Sequence, residues 1–340
     1  MIFRSKAPLR IGLAGGGTDV SPYSDIYGGA ILNATVSLYA YATIETNNDN
    51  KIILNAIDQQ KKIEFPVKDN LPVNGELNLL KGVYNYIKRK YNLPETGFTL
   101  STYVDAPAGS GLGTSSTLCV AIVGAFAEML KLPLGEYDIA RMAWEIERSD
   151  LKMSGGRQDQ YAATFGGVNF MEFYADEKVI VNPLRIRKDY LWELENNLLL
   201  YYTSTSRESA KIIDQQSKNV AENKSEAIEA MHLLKSQANM MKEAMLMGRI
   251  HEIGEILDFG FEQKRKMAEG ISNPLMEEIY DMAKSAGAKG GKISGAGGGG
   301  FMIFYCPVNT RYKVAEALSK FGGKVINYQF VKSGLLTWSV

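Results

Sequence analysis

Residues 107–116 read Pro-Ala-Gly-Ser-Gly-Leu-Gly-Thr-Ser-Ser, and they constrain this chain more than any other stretch. Gly109, Gly111 and Gly113 allow a tight backbone course that brings N–H groups close to a ligand. The hydroxyl triplet Thr114, Ser115 and Ser116 then opens an apolar pattern, with Leu118, Ala121, Ile122, Ala125, Phe126 and Met129 at helical spacing. A helix N-terminus offers unpaired N–H donors and the positive end of a dipole, which together favour a phosphate. A hydroxyl at that point also suits magnesium, which prefers oxygen ligands. Read alone, the stretch is equally consistent with a phosphate cradle and with an ordinary glycine-rich turn. It is not the common P-loop, because no Gly-Lys-Ser/Thr ends it.

Residues 2–14 read as one or two strands ending at Ala14-Gly15-Gly16-Gly17-Thr18-Asp19, with Pro8 arguing against a continuous central strand. Residues 34–46 alternate with period two, and 51–57 reads as a hairpin partner across Asn47–Asn50. A helix over 77–91 and a strand near 98–104 lead into the glycine stretch. A second helix, 136–149, aligns Ile139, Ala143 and Ile146 with Glu147 on one face, while Glu145 falls opposite with Asp138 and Arg141. A carboxylate in line with an apolar stripe is costly to bury unless it is paired or binds a metal. Glu147 is therefore either such a group or a partly exposed residue at the rim of the core. Residues 154–161 (Ser-Gly-Gly-Arg-Gln-Asp-Gln-Tyr) form a loop entering a helix, then Gly166-Gly167 precedes a strand near 168–173.

Charges thicken around 185–195, which marks the domain boundary expected of a 340-residue chain: residues 1–190 and 191–340. The second half reads as a strand at 198–203, whose following Ser204–Ser209 segment could cap a helix. Helices over 224–247, 249–268 and 274–285 follow, then a glycine run at 289–300, a strand at 301–305, a helix at 310–320 and a strand at 324–330. That order fits an α+β layer with helices on one face. The methionine stripe of those helices reads as core.

Lysine plus arginine equals aspartate plus glutamate at 38 each, so charge gives no reason to expect nucleic acid or a membrane surface. No run approaches a membrane span, and no apolar stretch follows Arg4 and Lys6 as in a secretory signal. Cys119 and Cys306 lie in apolar runs and read as buried thiols, so a cytoplasmic chain is expected. His232 and His251 lack metal-ligand spacing, which argues against zinc or histidine-based nucleophilic catalysis.

Three segments in order narrow the reading: Ala7-Pro8-Leu9-Arg10 with Gly15–Asp19, the Pro107–Ser116 stretch, and the Lys292–Gly300 glycine run. Together they resemble the small-molecule kinase superfamily of galactokinase, homoserine kinase, mevalonate kinase and phosphomevalonate kinase, over essentially the whole chain. Within it, Gly-Gly-Gly-Thr-Asp and the chain length most resemble the D-glycero-D-manno-heptose 7-phosphate kinases. The resemblance implies an N-terminal ribosomal-protein-S5-domain-2-like domain and a C-terminal ferredoxin-like domain with a cleft between them. It implies ATP and Mg2+, with the donor's phosphates held by Pro107, Gly109, Ser110, Gly111, Leu112, Gly113, Thr114, Ser115 and Ser116. Ser115, Ser116 and Glu147 would hold magnesium. Asp159, in its Asp-Gln pair, would be the base that takes the proton of the attacking sugar hydroxyl or orients it. Its alternative is a helix cap or an ion pair with Arg157. Arg10, two residues beyond Pro8, would assist at the transferring phosphoryl group.

Asp19 matches the aspartate by which galactokinases hold sugar hydroxyls, and Thr18, Gly17, Arg157, Gly297 and Gly298 complete the implied sugar site. Leu9 departs from the frequent glycine. Gly16-Gly17 stand where galactokinases have Glu-His, which argues against galactose and leaves room for a bulkier sugar. A phosphorylated sugar needs cationic hooks; Arg157, Lys152, Lys6 and Arg207 are candidates, each also readable as a solvated charge. Lys292 is an ATP contact or a strand-end lysine. The expected partner is a small-molecule sugar phosphate, and a homodimer is left open. Two other readings stand beside this one: a fucokinase-like kinase of an unphosphorylated sugar, and a sensor that binds sugar and ATP without catalysis.

Overall fold

The computed structural model describes residues 1–68, 70–91, 93, 95–205 and 209–340. In chain order the first half comprises β1 (Ile2–Ala14), α1 (Tyr23–Tyr27), β2 (Gly29–Thr46), β3 (Lys51–Ala56), β4 (Lys61–Pro66), α2 (Asn78–Tyr91) and β5 (Phe98–Val104). Helices α3 (Thr114–Leu130), α4 (Glu136–Trp144) and α5 (Gln158–Phe165) follow, then β6 (Val168–Phe173) and β7 (Val179–Pro183). The second half begins with α6 (Lys188–Asn197), β8 (Leu198–Tyr202), α7 (Ser209–Ala221), α8 (Ser225–Leu246), α9 (Ile253–Arg265) and α10 (Pro274–Ser285). It ends with β9 (Gly290–Ile293), β10 (Phe301–Tyr305), α11 (Thr310–Leu318), β11 (Lys324–Ile326) and β12 (Leu336–Ser339).

Among the described residues two sheets form. The larger runs β12-β1-β2-β5-β3-β4, with β6 and β7 continuing from β2; the smaller runs β11-β8-β10-β9. Strand β1 alternates in burial only as far as Ala7, because α3 covers one face there. Beyond Ala7 it is buried on both faces, with α8 packed against β1 and β2 as well. Pro8 does not end the strand as expected. It sits at a register shift between Pro8 and Arg10, where the ladder to β2 is already interrupted, and β12 pairs only with Phe3–Lys6.

The predicted hairpin across Asn47–Asn50 does not form. Strand β5 enters between β2 and β3, antiparallel to one and parallel to the other, and β3 takes the unforeseen β4 as its other partner. Gly97 makes this insertion sterically possible: a Cβ there would stand 2.1 Å from Asn47 Oδ1 and 2.8 Å from Lys51 N.

The two halves on either side of residue 190 are closely joined. Strand β12 returns to the first sheet, and one apolar core runs from Phe3 and Leu9 through Phe126 to Met241, Leu257 and Ile303. The smaller sheet likewise does not carry helices on one face only. Leu198, Leu200 and Ile303 face that shared core, while Leu199, Met302 and Phe304 face Ile279 of α10 and Val314 of α11. Burial on both faces explains why these strands read as unbroken apolar runs. No helix among the described residues is long and apolar enough to cross a membrane.

Candidate active site

A cleft of about 450 Å³ opens where β1, the 109–116 turn, α5 and the glycine run after β9 meet. The turn that opens at Gly109 ends in Gly113, whose left-handed φ of 76° aims the start of α3 at the cleft. Gly111 and Gly295 interlock behind it: a Cβ on Gly295 would stand 2.7 Å from Gly111 Cα, and one on Gly111 would stand 2.4 Å from Ser294 O. The two glycine segments, far apart in sequence, thus build one wall.

Asp159 stands beside the start of α3, its Oδ2 3.1 Å from where a Gly113 Cβ would be. Its partner is Arg10, not Arg157. Arg10 Nε and Nη2 reach Asp159 Oδ1 at 2.7 and 2.6 Å, and Nη1 donates to Gly111 O at 2.6 Å. Asp19 enters from the opposite side. Its Oδ2 accepts the backbone N–H groups of Arg157 and Gln158 at 2.9 and 3.0 Å, which ties the 15–19 turn to the start of α5. Burial raises its carboxyl above the usual range; the Gln158 N–H partly offsets this, and the charge of Asp159 adds to it. Gly156 makes the approach possible, since a Cβ there would collide with Asp19 Oδ2 at 1.9 Å.

Glu147 is buried, as its position on the apolar face suggested, although a π-helical turn over Glu145–Asp150 replaces the regular helix end. Ser115 Oγ donates to Glu147 Oε1 at 2.9 Å, and Gln160 Nε2 donates to Oε2 at 2.5 Å and to Ser116 Oγ at 3.1 Å. Arg148 is the closest described cation, 3.9 Å away. A buried carboxylate beside two hydroxyls, with Gln160 Oε1 left without a protein partner, is an all-oxygen set that fits a hard divalent ion.

Several expected residues lie elsewhere. Pro107, Ser110, Leu112, Thr18, Gly297 and Gly298 do not line the cleft. Ser110 and Leu112 are buried beneath it, where Ser110 O receives the N–H of Phe301 and Leu112 O that of Arg10. Thr18 bonds Gly15 O and Ala30 O, holding the turn closed. Gly297 packs on Ile271, and Gly298 N–H donates to Ile271 O. The Arg157 guanidinium points away, captured by Tyr174 O, Ser24 Oγ and Asp25 Oδ1, so only its backbone serves the site. Lys6 lies over the Tyr39 ring, whereas Lys152 does line the cleft mouth. Arg207 lies outside the described residues.

The chain is similar to known kinases. Residues 78–167 match the GHMP kinases N terminal domain and residues 241–324 the GHMP kinases C terminal domain. The chain belongs to the GHMP kinase family. It is 46% identical to the D-glycero-alpha-D-manno-heptose 7-phosphate kinase of Campylobacter jejuni, covering 99% of each chain. It is similar to a solved D-glycero-D-manno-heptose 1-phosphate kinase from Bacteriodes thetaiotaomicron, with TM-score 0.85 and 47% identity over 99% of each chain. It is 30% identical to the L-fucokinase/L-fucose-1-P guanylyltransferase of Bacteroides fragilis, over 87% of this chain and 34% of that protein. As a GHMP kinase the chain has a phosphoryl donor to hold, and ATP is the co-substrate the family implies.

Sequence reasoning missed cleft-lining residues in this GHMP kinase, chiefly Lys264, Gln216 and Gln158. No motif surrounds Lys264. It does continue the Leu257–Phe261 stripe of α9, and the helical-face argument that singled out Glu147 applies to it equally.

Proposed function

We propose that this GHMP kinase transfers the γ-phosphoryl group of ATP to the anomeric hydroxyl of D-glycero-D-manno-heptose 7-phosphate, giving the 1,7-bisphosphate. Such a product leads toward nucleotide-activated heptose for surface polysaccharide. Full-length identity to a heptose 7-phosphate kinase supports the substrate. The observation that carries the chemistry is Asp159 standing against the glycine turn, so that a proton acceptor adjoins the N–H groups that would hold phosphate.

Phosphoryl transfer needs positioning and charge stabilisation more than covalent chemistry. The N–H groups at the start of α3 lack intrahelical partners and would hold the donor's phosphates. Ser115, Ser116 and Glu147 would hold Mg2+, which when bound neutralises phosphate oxygens. Asp159 would accept or orient the hydroxyl proton through Oδ2, while Arg10 fixes Oδ1 and faces the developing charge. Asp19 would hold sugar hydroxyls through Oδ1, which has no partner among the described hydrogen bonds. The finer fold reading, an S5-domain-2-like lobe joined to a ferredoxin-like one, fits the two sheets, and dependence on ATP supports a cytoplasmic site of action.

ATP turnover against a panel of free and phosphorylated heptoses and hexoses tests the reading, with phosphorus NMR locating the new phosphate. A new signal at C1 of heptose 7-phosphate is expected. Clear preference for a free sugar such as fucose would refute it, and no ADP release with any sugar would favour a sensor.

A further inference from the structure

Strand β9 and helix α9 deliver two lysines to the same wall of the cleft. Lys292 is 4% exposed and Lys264 2%. Their ammonium groups meet over Gly16: a Cβ there would stand 3.5 Å from Lys264 Nζ and 3.9 Å from Lys292 Nζ. Each ammonium has three donors to satisfy. The described partners are one carbonyl apiece, Gly16 O for Lys264 at 3.3 Å and Gly12 O for Lys292 at 2.9 Å. Neither lysine appears in any described ion pair, although the fold holds the Arg10 guanidinium near both. Two buried, unpaired cations side by side are costly, and each lysine's proton affinity is lowered accordingly, chiefly by burial.

A third donor lines the same cleft. Gln216 of α7 is 3% exposed. Its Nε2 has no partner among the described residues. Its Oε1 lies 3.5 Å from where a Gly17 Cβ would be, so the side chain borders the ammonium pair across the Gly16-Gly17 turn. Gly16 contributes no side chain, which leaves the space beside the ammonium pair open, whereas Met267 Cε packs on Gly17, 2.6 Å from where a Cβ would be. A group with several anionic oxygens would satisfy all three at once.

We propose that Lys264, Lys292 and Gln216 hold the phosphate that the sugar substrate already carries. This rests on the reading of the enzyme as a sugar-phosphate kinase and assigns that phosphate its place. The donor's phosphates have the N–H groups of the glycine turn, whereas Lys264 lies on the acceptor side, where the charge of Asp19 acts on it. The arrangement also supplies selectivity. A free sugar would leave these buried donors unsatisfied, whereas a phosphate would pair with both lysines in their charged form, so the unphosphorylated heptose is disfavoured by what it fails to satisfy.

The test compares kcat/KM for heptose 7-phosphate and for the unphosphorylated heptose in wild type, K264M, K292M and the conservative K264R. The preference for the phosphorylated sugar should fall by about 100-fold or more in either methionine variant. K264R should retain more of it. Inorganic phosphate should inhibit the wild-type enzyme competitively against heptose 7-phosphate but not against ATP, a measurement that stands even if a variant fails to fold. Preference kept by both methionine variants, or phosphate competing with ATP alone, overturns the assignment while leaving the kinase reading intact. A wild-type enzyme indifferent to the sugar's phosphate sinks both.

Discussion

Arg10 closes two nitrogens on a single oxygen of Asp159: Nε and Nη2 both reach Oδ1, while Oδ2 has no partner among the described hydrogen bonds and faces Gly113. The third arm, Nη1 on Gly111 O, prevents the guanidinium from rotating away. One carboxylate oxygen is thus fixed in position and the other is left without a partner among the described hydrogen bonds.

Asp159→Asn keeps an oxygen for Arg10 and replaces the free one with an amide that cannot accept a proton. Turnover should fall by about 10²–10⁴-fold, with a smaller effect on the KM for sugar. Steady-state kinetics at saturating ATP decide the matter, and near-full turnover would remove Asp159 from the base role.

Glu147→Gln removes the buried charge and sets an amide against the Gln160 amide that now donates to Oε2. The magnesium concentration for half-maximal rate should rise by about 10–100-fold, the scale on which perturbed metal shells respond. Turnover measured across a magnesium series reads this directly; an unchanged midpoint would place the ion elsewhere.

Gly295→Ala should destabilise by about 2–4 kcal/mol in urea unfolding, because left-handed strain adds to collision with the Gly111 backbone. Gly322 is the control. It has φ 71°, close to the 76° of Gly295, but nothing lies within 4 Å of its would-be Cβ. Gly322→Ala should cost only about 1 kcal/mol, and equal losses at the two positions would mean that the interlock contributes nothing.

Lys264 gives a pH signature. Burial, opposed by Asp19 and reinforced by Arg10, lowers its pKa from 10.5 to about 8. Between those values the unfolded chain binds the proton and the folded chain does not, so this group's contribution makes stability rise with pH across that window. Below about pH 8 the full cost of the buried charge is present. Chemical denaturation of the ligand-free enzyme from pH 7 to 10 should show the K264M variant losing part of this upward slope. A slope identical to wild type would mean that Lys264 titrates as a solvated lysine.

What the sequence made legible was local. The glycine turn and the Glu147 face could be read because helical periodicity and backbone freedom act over a few residues, whereas only the resemblance to the kinase superfamily singles out the Asp159-Gln160 pair. The pairing of β3 could not: a short polar turn favours a hairpin, and only the later arrival of β5 beside Gly97 overrides it. The orientation of Arg157 depends on Ser24 and Asp25, more than 130 residues away in sequence. Pro8 was misread because a strand breaker and a strand bulge look alike until the partner strand is in place. Lys264 carried a usable signal, a cation on an apolar stripe, without a motif to draw attention to it.

The pairing of β12 with β1 bears on how the molecule is made. Leu336–Ser339 complete a ladder with Phe3–Lys6, so the outer edge of the first strand stays unprotected throughout synthesis of the intervening chain. An excised N-terminal half would keep that open edge permanently, and would also strip the α8 side of β1 and β2. The C-terminal strand thus covers an edge that the first half cannot cover by itself, so separate expression of residues 1–190 should give a less stable, more aggregation-prone product than the whole chain.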